Sequence, residues 1–268
     1  MLRTCAGTRF ALIQAVLPDA VELSAPDFEH QVSRLYTQVW QRVRDLQASA
    51  PLRCWNYIPG IHRRDERGLD RYMVFNAGRH RALSRWMGTS DFEGKLVTAS
   101  AVGTHTRDFV LHVLSGPAAG RPLENPRQVP AYRYSRWYGP RPPCFARALV
   151  LPPQAPLQGA LLIGGTASVV GEATRHEGQV EAQLTETLRN LASLLAAWRE
   201  VEEPDPGLLA LVRQARVYVP AGADRHYLIQ QILRHLTGLD CLEVMTADLC
   251  RANLLVEIEG LTASAEPG

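Results

Sequence analysis

The chain has 268 residues, 46% apolar and 21% charged, the composition of a globular protein with room for one large or two small domains. A formal charge of +2 is too small to argue for nucleic acid or an anionic membrane surface as a partner. No apolar run approaches the roughly 18 residues of a membrane span, and the N-terminus lacks the basic and apolar regions of a signal peptide.

The first predicted element is a short apolar strand over Arg9 to Leu17, ended by Pro18. Ser24-Ala-Pro-Asp27 is a helix-start signal, and Val32, Leu35, Val39, Val43 and Leu46 then recur at helical spacing. Leu52 to Ile58 is a strand closed by Pro59-Gly60. Leu69 to Met87 is predicted helical despite Gly78, a poor helix former. Leu96 to Val102 and Asp108 to Leu114 are two strands joined by a short polar turn. The second half repeats this order. Ala146 to Leu151 and Gly159 to Ile163 are strands, and Val180, Leu184, Leu188, Leu191 and Leu195 mark a long helix. Ala215, Val217 and Val219 alternate in a strand; Leu228, Ile232, Leu233 and Leu236 mark a second helix. Leu242 to Thr246 and Leu254 to Ile258 are the last strands.

Short segments echo between the halves. Glu29-His-Gln31 and Glu181-Ala-Gln183 open the long helices, and Tyr57-Ile-Pro59 and Tyr218-Val-Pro220 close the strands that follow. Duplication of one α/β unit accounts for both echoes. The expected division is an N-terminal domain over 1–115, a Gly-, Pro- and Arg-rich linker over 116–141, a C-terminal domain over 142–263 and a disordered tail over 264–268.

Cys5, Cys54, Cys144, Cys241 and Cys250 form no CxxC pair and are odd in number, so neither a zinc site nor a disulfide framework is implied and a reducing cytoplasm fits. The eight histidines show no metal spacing, and no metal or other cofactor is expected. Apart from Lys95 the basic residues are arginines, clustered at Ile61-His-Arg-Arg-Asp-Glu-Arg67 and Arg79-His-Arg81, where they read as solvated surface.

The last strand carries two carboxylates, Glu257 and Glu259, at alternate positions and therefore on one face. By pattern alone that face reads as solvated. If it is desolvated instead, the neutral acid is favoured, which suits a proton donor. By the same standard Cys250 reads as a small core residue, Arg147 as half of an ion pair, the tyrosines around Gly139-Pro140 as turn packing, and Gly164-Gly165 as lacking phosphate-loop spacing.

Three segments of the second half resemble the Rid (YjgF-like) family of imine hydrolases: Gly164-Gly-Thr-Ala-Ser168; Gln183 with Thr187 to Leu195; and Leu255-Val-Glu-Ile-Glu259. The arginine that Rid deaminases place before this last strand has no counterpart near Leu242, so the resemblance does not extend to their reaction. Nearly the whole chain resembles the chorismatases, which remove pyruvate from chorismate. The matching segments are Arg71-Tyr-Met-Val-Phe-Asn-Ala-Gly78, Ala99-Ser-Ala-Val-Gly103, Ala131-Tyr-Arg-Tyr134, Tyr138 to Arg147, Gly165 to Gly171 with Arg175-His176, and Cys250 to Glu259.

That resemblance implies an α/β fold of two Rid-like α+β halves, each a mixed sheet backed by two helices, with a shortened N-terminal half. It implies Glu257 as the general acid that protonates the enolpyruvyl methylene. Arg147 would bind a substrate carboxylate, Tyr134 and Tyr138 would donate from the same wall, and Gly165 would leave room for the ring. Cys250 implies the branch in which a ring hydroxyl attacks and the ring aromatises to 3-hydroxybenzoate, alone or mixed with 4-hydroxybenzoate. The alternatives are hydrolysis to a dihydroxycyclohexadiene carboxylate and a non-catalytic Rid-like binder of small aromatic or keto acids. A small-molecule partner follows in each case; monomer and homotrimer remain open.

Overall fold

A computed structural model describes residues 1–88, 92–155 and 157–264. Residues 265–268 of the expected disordered tail lie outside the described residues. In the first half, β1 (Leu2–Ala6) and β2 (Ala11–Leu17) precede α1 (Ala25–Arg44), β3 (Ala50–Pro59), α2 (Arg71–Met87), β4 (Thr98–Thr104) and β5 (Phe109–Gly116). In the second, a three-residue strand β6 (Arg121–Leu123) is followed by β7 (Ala148–Val150) and β8 (Leu161–Ala167). A small ribbon, β9 (Val169–Val170) with β10 (Ala173–Thr174), leads to α3 (Val180–Arg199), β11 (Val212–Val219), α4 (Arg225–His235), β12 (Cys241–Thr246) and β13 (Glu257–Thr262).

The two sheets have the same strand order. The first runs β1-β2-β5-β3-β4, and the second, read from β7, runs β7-β8-β13-β11-β12, with β6 added outside β7. In each sheet one pair is parallel, β3 with β4 and β11 with β12, and the other pairs are antiparallel. Each sheet buries an apolar face under two helices, α1 and α2 in one half and α3 and α4 in the other. The expected two α+β units, each a mixed sheet backed by two helices, are therefore present. β1, which the sequence reading lacked, is the counterpart of β7. It is an edge strand with mostly exposed side chains, so its sequence shows no alternation to detect.

α1 and α2 start on side-chain caps. Ser24 Oγ accepts from Asp27 N at 3.3 Å and Asp70 Oδ1 from Met73 N at 2.8 Å. Gly78 sits where α2 crosses α1. A methyl group there would overlap the Glu29 carbonyl and come within 3.0 Å of Val32 Cβ, so the glycine sets the helix separation.

Residues 116–141 are ordered. β6 extends the second sheet, and Asn125 Nδ2 donates to Asn190 O on α3 at 2.8 Å. The sheets meet where β4 lies against β8, with Thr98 bridged in parallel to Ala146. Gly164 allows this approach, since a methyl group on it would lie 2.9 Å from Arg147 O and 3.2 Å from Ala99 O.

The last strand departs from expectation in two ways. It begins at Glu257 rather than Leu254. Leu254 and Val256 are buried, but here a side chain takes the place of a neighbouring strand: Leu255 N donates to Gln183 Oε1 at 2.8 Å and Gln183 Nε2 donates to Asn253 O at 2.7 Å. Moreover, Glu257 and Glu259 do not form a solvated face; both are buried, each 4% exposed, because the first sheet covers that side.

Candidate active site

Between the halves lies a cavity of about 540 Å³, of the size that takes a small organic ligand. Glu257, Cys250, Arg147, Tyr134, Tyr138 and Gly165, all singled out from the sequence, line it together.

Glu257 opens β13, paired with Tyr218 of β11 and Ala167 of β8. On β8 an extra residue bulges opposite Glu259, at the Gly164-Gly165 pair. A methyl group on Gly165 would overlap the Glu257 carboxyl, coming within 2.7 Å of Cδ, so the glycine admits the acid side chain. Burial pushes the Glu257 carboxyl up to about 8, and the charge of Glu259 adds to the rise. At neutral pH the protonated form of this side chain is therefore favoured.

Cys250 lies in the loop that leads into β13 and packs against an apolar cluster of Val102, Ala167, Val169 and Leu254. Burial first, then Glu257, holds its thiol up at about 12, so the group facing the cavity is a neutral S–H. The reading of Cys250 as a core residue is half right, since it belongs to the cluster and to the cavity wall.

Arg147 makes no salt bridge among the described residues. Its Nη2 donates to Tyr134 Oη at 2.6 Å and to Val129 O at 3.3 Å, and its Nε is buried without a partner. Its guanidinium lies 5.2 Å from the Phe145 ring centroid. Tyr134 and Tyr138 pack with ring centroids 5.1 Å apart.

Two arginines escaped the sequence reading. Arg79 was placed on a solvated surface, yet it is 2% exposed and lines the cavity. It follows Tyr72 and Phe75 at helical spacing along the inner face of α2, a periodicity that could have revealed it. Its Nη2 donates to Asn76 Oδ1 at 2.9 Å, its Nε has no partner, and no carboxylate pairs with it among the described residues. Arg251, next to Cys250, stacks 4.0 Å over Tyr138 and donates to Glu172 O at 2.8 Å. Of the cluster at 61–67, His62 and Arg64 also reach the cavity, and His62 Nε2 meets Leu249 O at 2.7 Å.

A buried cation without an anion is costly. Arg79 is such a cation among the described residues; Arg147 has the buried Glu124 carboxyl nearby, and with Arg251 at the wall the two give the cavity guanidinium groups able to pair with a small anionic ligand. Among the described residues no group of three or more His, Cys, Asp or Glu side chains is placed to hold a metal, and no helix is long and apolar enough to cross a membrane.

Comparison with known proteins points to one family. The family model of the chorismatase FkbO/Hyg5-like N-terminal domain matches residues 4–115. A 3-hydroxybenzoate synthase of Streptomyces hygroscopicus is 34% identical over 233 residues, covering 84% of this chain and 67% of the relative. A chorismatase of Streptomyces rapamycinicus is 32% identical over 235 residues, covering 85% and 69%. A crystal structure of a chorismatase superposes with a TM-score of 0.82 at 29% identity, covering 98% of this chain and 77% of the other. The aligned region spans about two thirds of the length of these curated relatives. With a shared fold and a shared sequence over most of its length, the chain belongs to the chorismatase family.

Proposed function

We propose that the protein converts chorismate to 3-hydroxybenzoate and pyruvate, with Glu257 as the general acid. The observation that carries this reading is the buried carboxyl of Glu257, whose neutral form burial favours, in one cavity with Arg147 and with Arg79, which has no carboxylate partner among the described residues. Chorismate has two carboxylates, and planar guanidiniums bind such groups with paired hydrogen bonds. Arg147 binds one, assisted by Tyr134; Arg79 is placed for the other, and Tyr138 and Arg251 close the wall between.

Glu257 delivers its proton to the enolpyruvyl methylene carbon, and positive charge develops on the adjacent oxygen-bearing carbon. A ring hydroxyl attacks that carbon. That hydroxyl gives up its proton and a cyclic ketal forms. Loss of the proton on the ether-bearing ring carbon, with cleavage of the attacking oxygen's bond to the ring, aromatises it. The hemiketal left behind collapses to pyruvate and the phenol, which takes up a proton. The two products together contain the atoms of the substrate, so no net water or proton is consumed. Cys250 supplies a neutral S–H and an apolar surface beside Glu257, conditions that disfavour an attacking water and favour attack from within the substrate.

The test is incubation of purified protein with chorismate, with pyruvate assayed and products separated by chromatography. Equimolar pyruvate and 3-hydroxybenzoate are expected. A non-aromatic diol would overturn the product assignment, and unconsumed chorismate would overturn the reaction.

A further inference from the structure

Behind the acid lies a second carboxylate that does not line the cavity. Glu259, two residues along β13 on the same face, accepts from Arg53 Nη2 at 2.7 Å, Trp55 Nε1 at 2.8 Å and Arg216 Nη1 at 3.2 Å, and from Ser100 Oγ. Two guanidiniums, at 2.7 and 3.2 Å, with an indole N–H and a hydroxyl, make the donor set of a carboxylate anion. Three of the four donors come from the other half of the molecule: Arg53 and Trp55 on β3 and Ser100 on β4. Arg53 is fixed in turn by donating to Ile163 O on β8 at 2.6 Å.

We propose that Glu259 is a positioning residue that keeps the Glu257 carboxyl in its proton-bearing form, and that the N-terminal half arms the acid by holding Glu259 in place. This rests on the reading of Glu257 as the general acid. The groups around Glu257 are Glu259 on its own strand, Arg53 from β3, Arg147 from the segment before β7, Tyr72 from α2 and the Cys250 thiol. Burial disfavours ionisation of Glu257 and Glu259 adds to this; Arg53 and Arg147 oppose it. Glu259 therefore acts twice: its charge repels a second negative charge nearby, and it neutralises guanidiniums that would otherwise draw the proton off Glu257.

The experiment is a carboxyl ¹³C NMR titration of glutamate-labelled enzyme, with the Glu257 signal assigned by Glu257→Gln, alongside pH profiles of kcat and kcat/KM. In Glu259→Gln the Glu257 midpoint is expected to fall by roughly one unit or more, and the high-pH limb of kcat/KM to move down with it. Arg216→Gln disturbs the same network but leaves the anion, and its side chain is 29% exposed, so the variant is expected to fold. There the Glu257 midpoint is expected to hold or rise. An unchanged midpoint in Glu259→Gln, or a fall in Arg216→Gln, overturns the proposal. Wild-type turnover in Glu257→Gln would instead overturn the general-acid reading, whatever the titration gives.

Discussion

At the scale of single residues, Glu257 owes its chemistry to its surroundings. A glutamate that titrates near 4.5 in an unfolded chain holds its proton to about 8 in the folded protein. In the proposed reaction the acid form is the active one, so kcat/KM is expected to be full below that value and to fall as pH rises through about 8. Glu257→Gln is expected to lower kcat on the order of 100- to 10,000-fold with the fold intact, as measured by pyruvate release. The same shift has a stability consequence. Between about 4.5 and about 8 the folded state binds one proton more than the unfolded state, so this group's contribution to stability declines as pH rises through that window. Denaturant titrations across the window should show a flatter decline in Glu257→Gln; an unchanged slope would place the shifted group elsewhere. Cys250→Ala is expected to move product toward the non-aromatic diol with little change in melting temperature. Unaltered product would remove Cys250 from product selection.

At the scale of elements, two local irregularities shape the site. The bulge on β8 lets Gly165 lie against the Glu257 carboxyl without contact from a Cβ. Gly165→Ala pushes the acid aside, and a misplacement near 1 Å costs on the order of 100-fold in rate. The expected outcome is a loss in kcat of that order in a folded protein, checked by kinetics and circular dichroism. Gln183 on α3 replaces a strand partner for Asn253 and Leu255, ending the apolar run before β13 and leaving residues 250–254 free to form the cavity wall. Gln183→Ala strands an N–H and a carbonyl, at a cost of about 1–3 kcal/mol for each that water does not reach. Denaturant unfolding reads this as a lowered midpoint, and an unchanged midpoint would show that water replaces the amide.

At the scale of the whole molecule, the two units share a polar seam as well as a cavity. Arg53 on β3 reaches across to Glu259 and to the backbone of β8, and its side chain is 3% exposed. Arg53→Met removes one partner of a buried pair, which costs about 3–5 kcal/mol. The expected result is a lowered melting temperature together with lowered turnover, because the seam also supports the acid. Loss of stability with full turnover would separate the seam from the chemistry.

The sequence by itself determined the elements and the repeat, because periodicity and caps act within a few residues. It missed β1, whose exposed edge position leaves no alternation, and the two- and three-residue strands β6, β9 and β10, too short to show any; it started β13 three residues early, because the pairing of Leu255 with Gln183 is a contact between distant positions. The site residues were legible as motifs: Glu257, Cys250, Arg147, Tyr134, Tyr138 and Gly165 meet in one cavity. The inward face of Arg79 was readable from its spacing with Tyr72 and Phe75, whereas the tertiary structure alone decided that Glu257 and Glu259 are dry. A strand's alternation says which side chains share a face, but whether that face meets water or another sheet depends on packing between segments far apart in the chain.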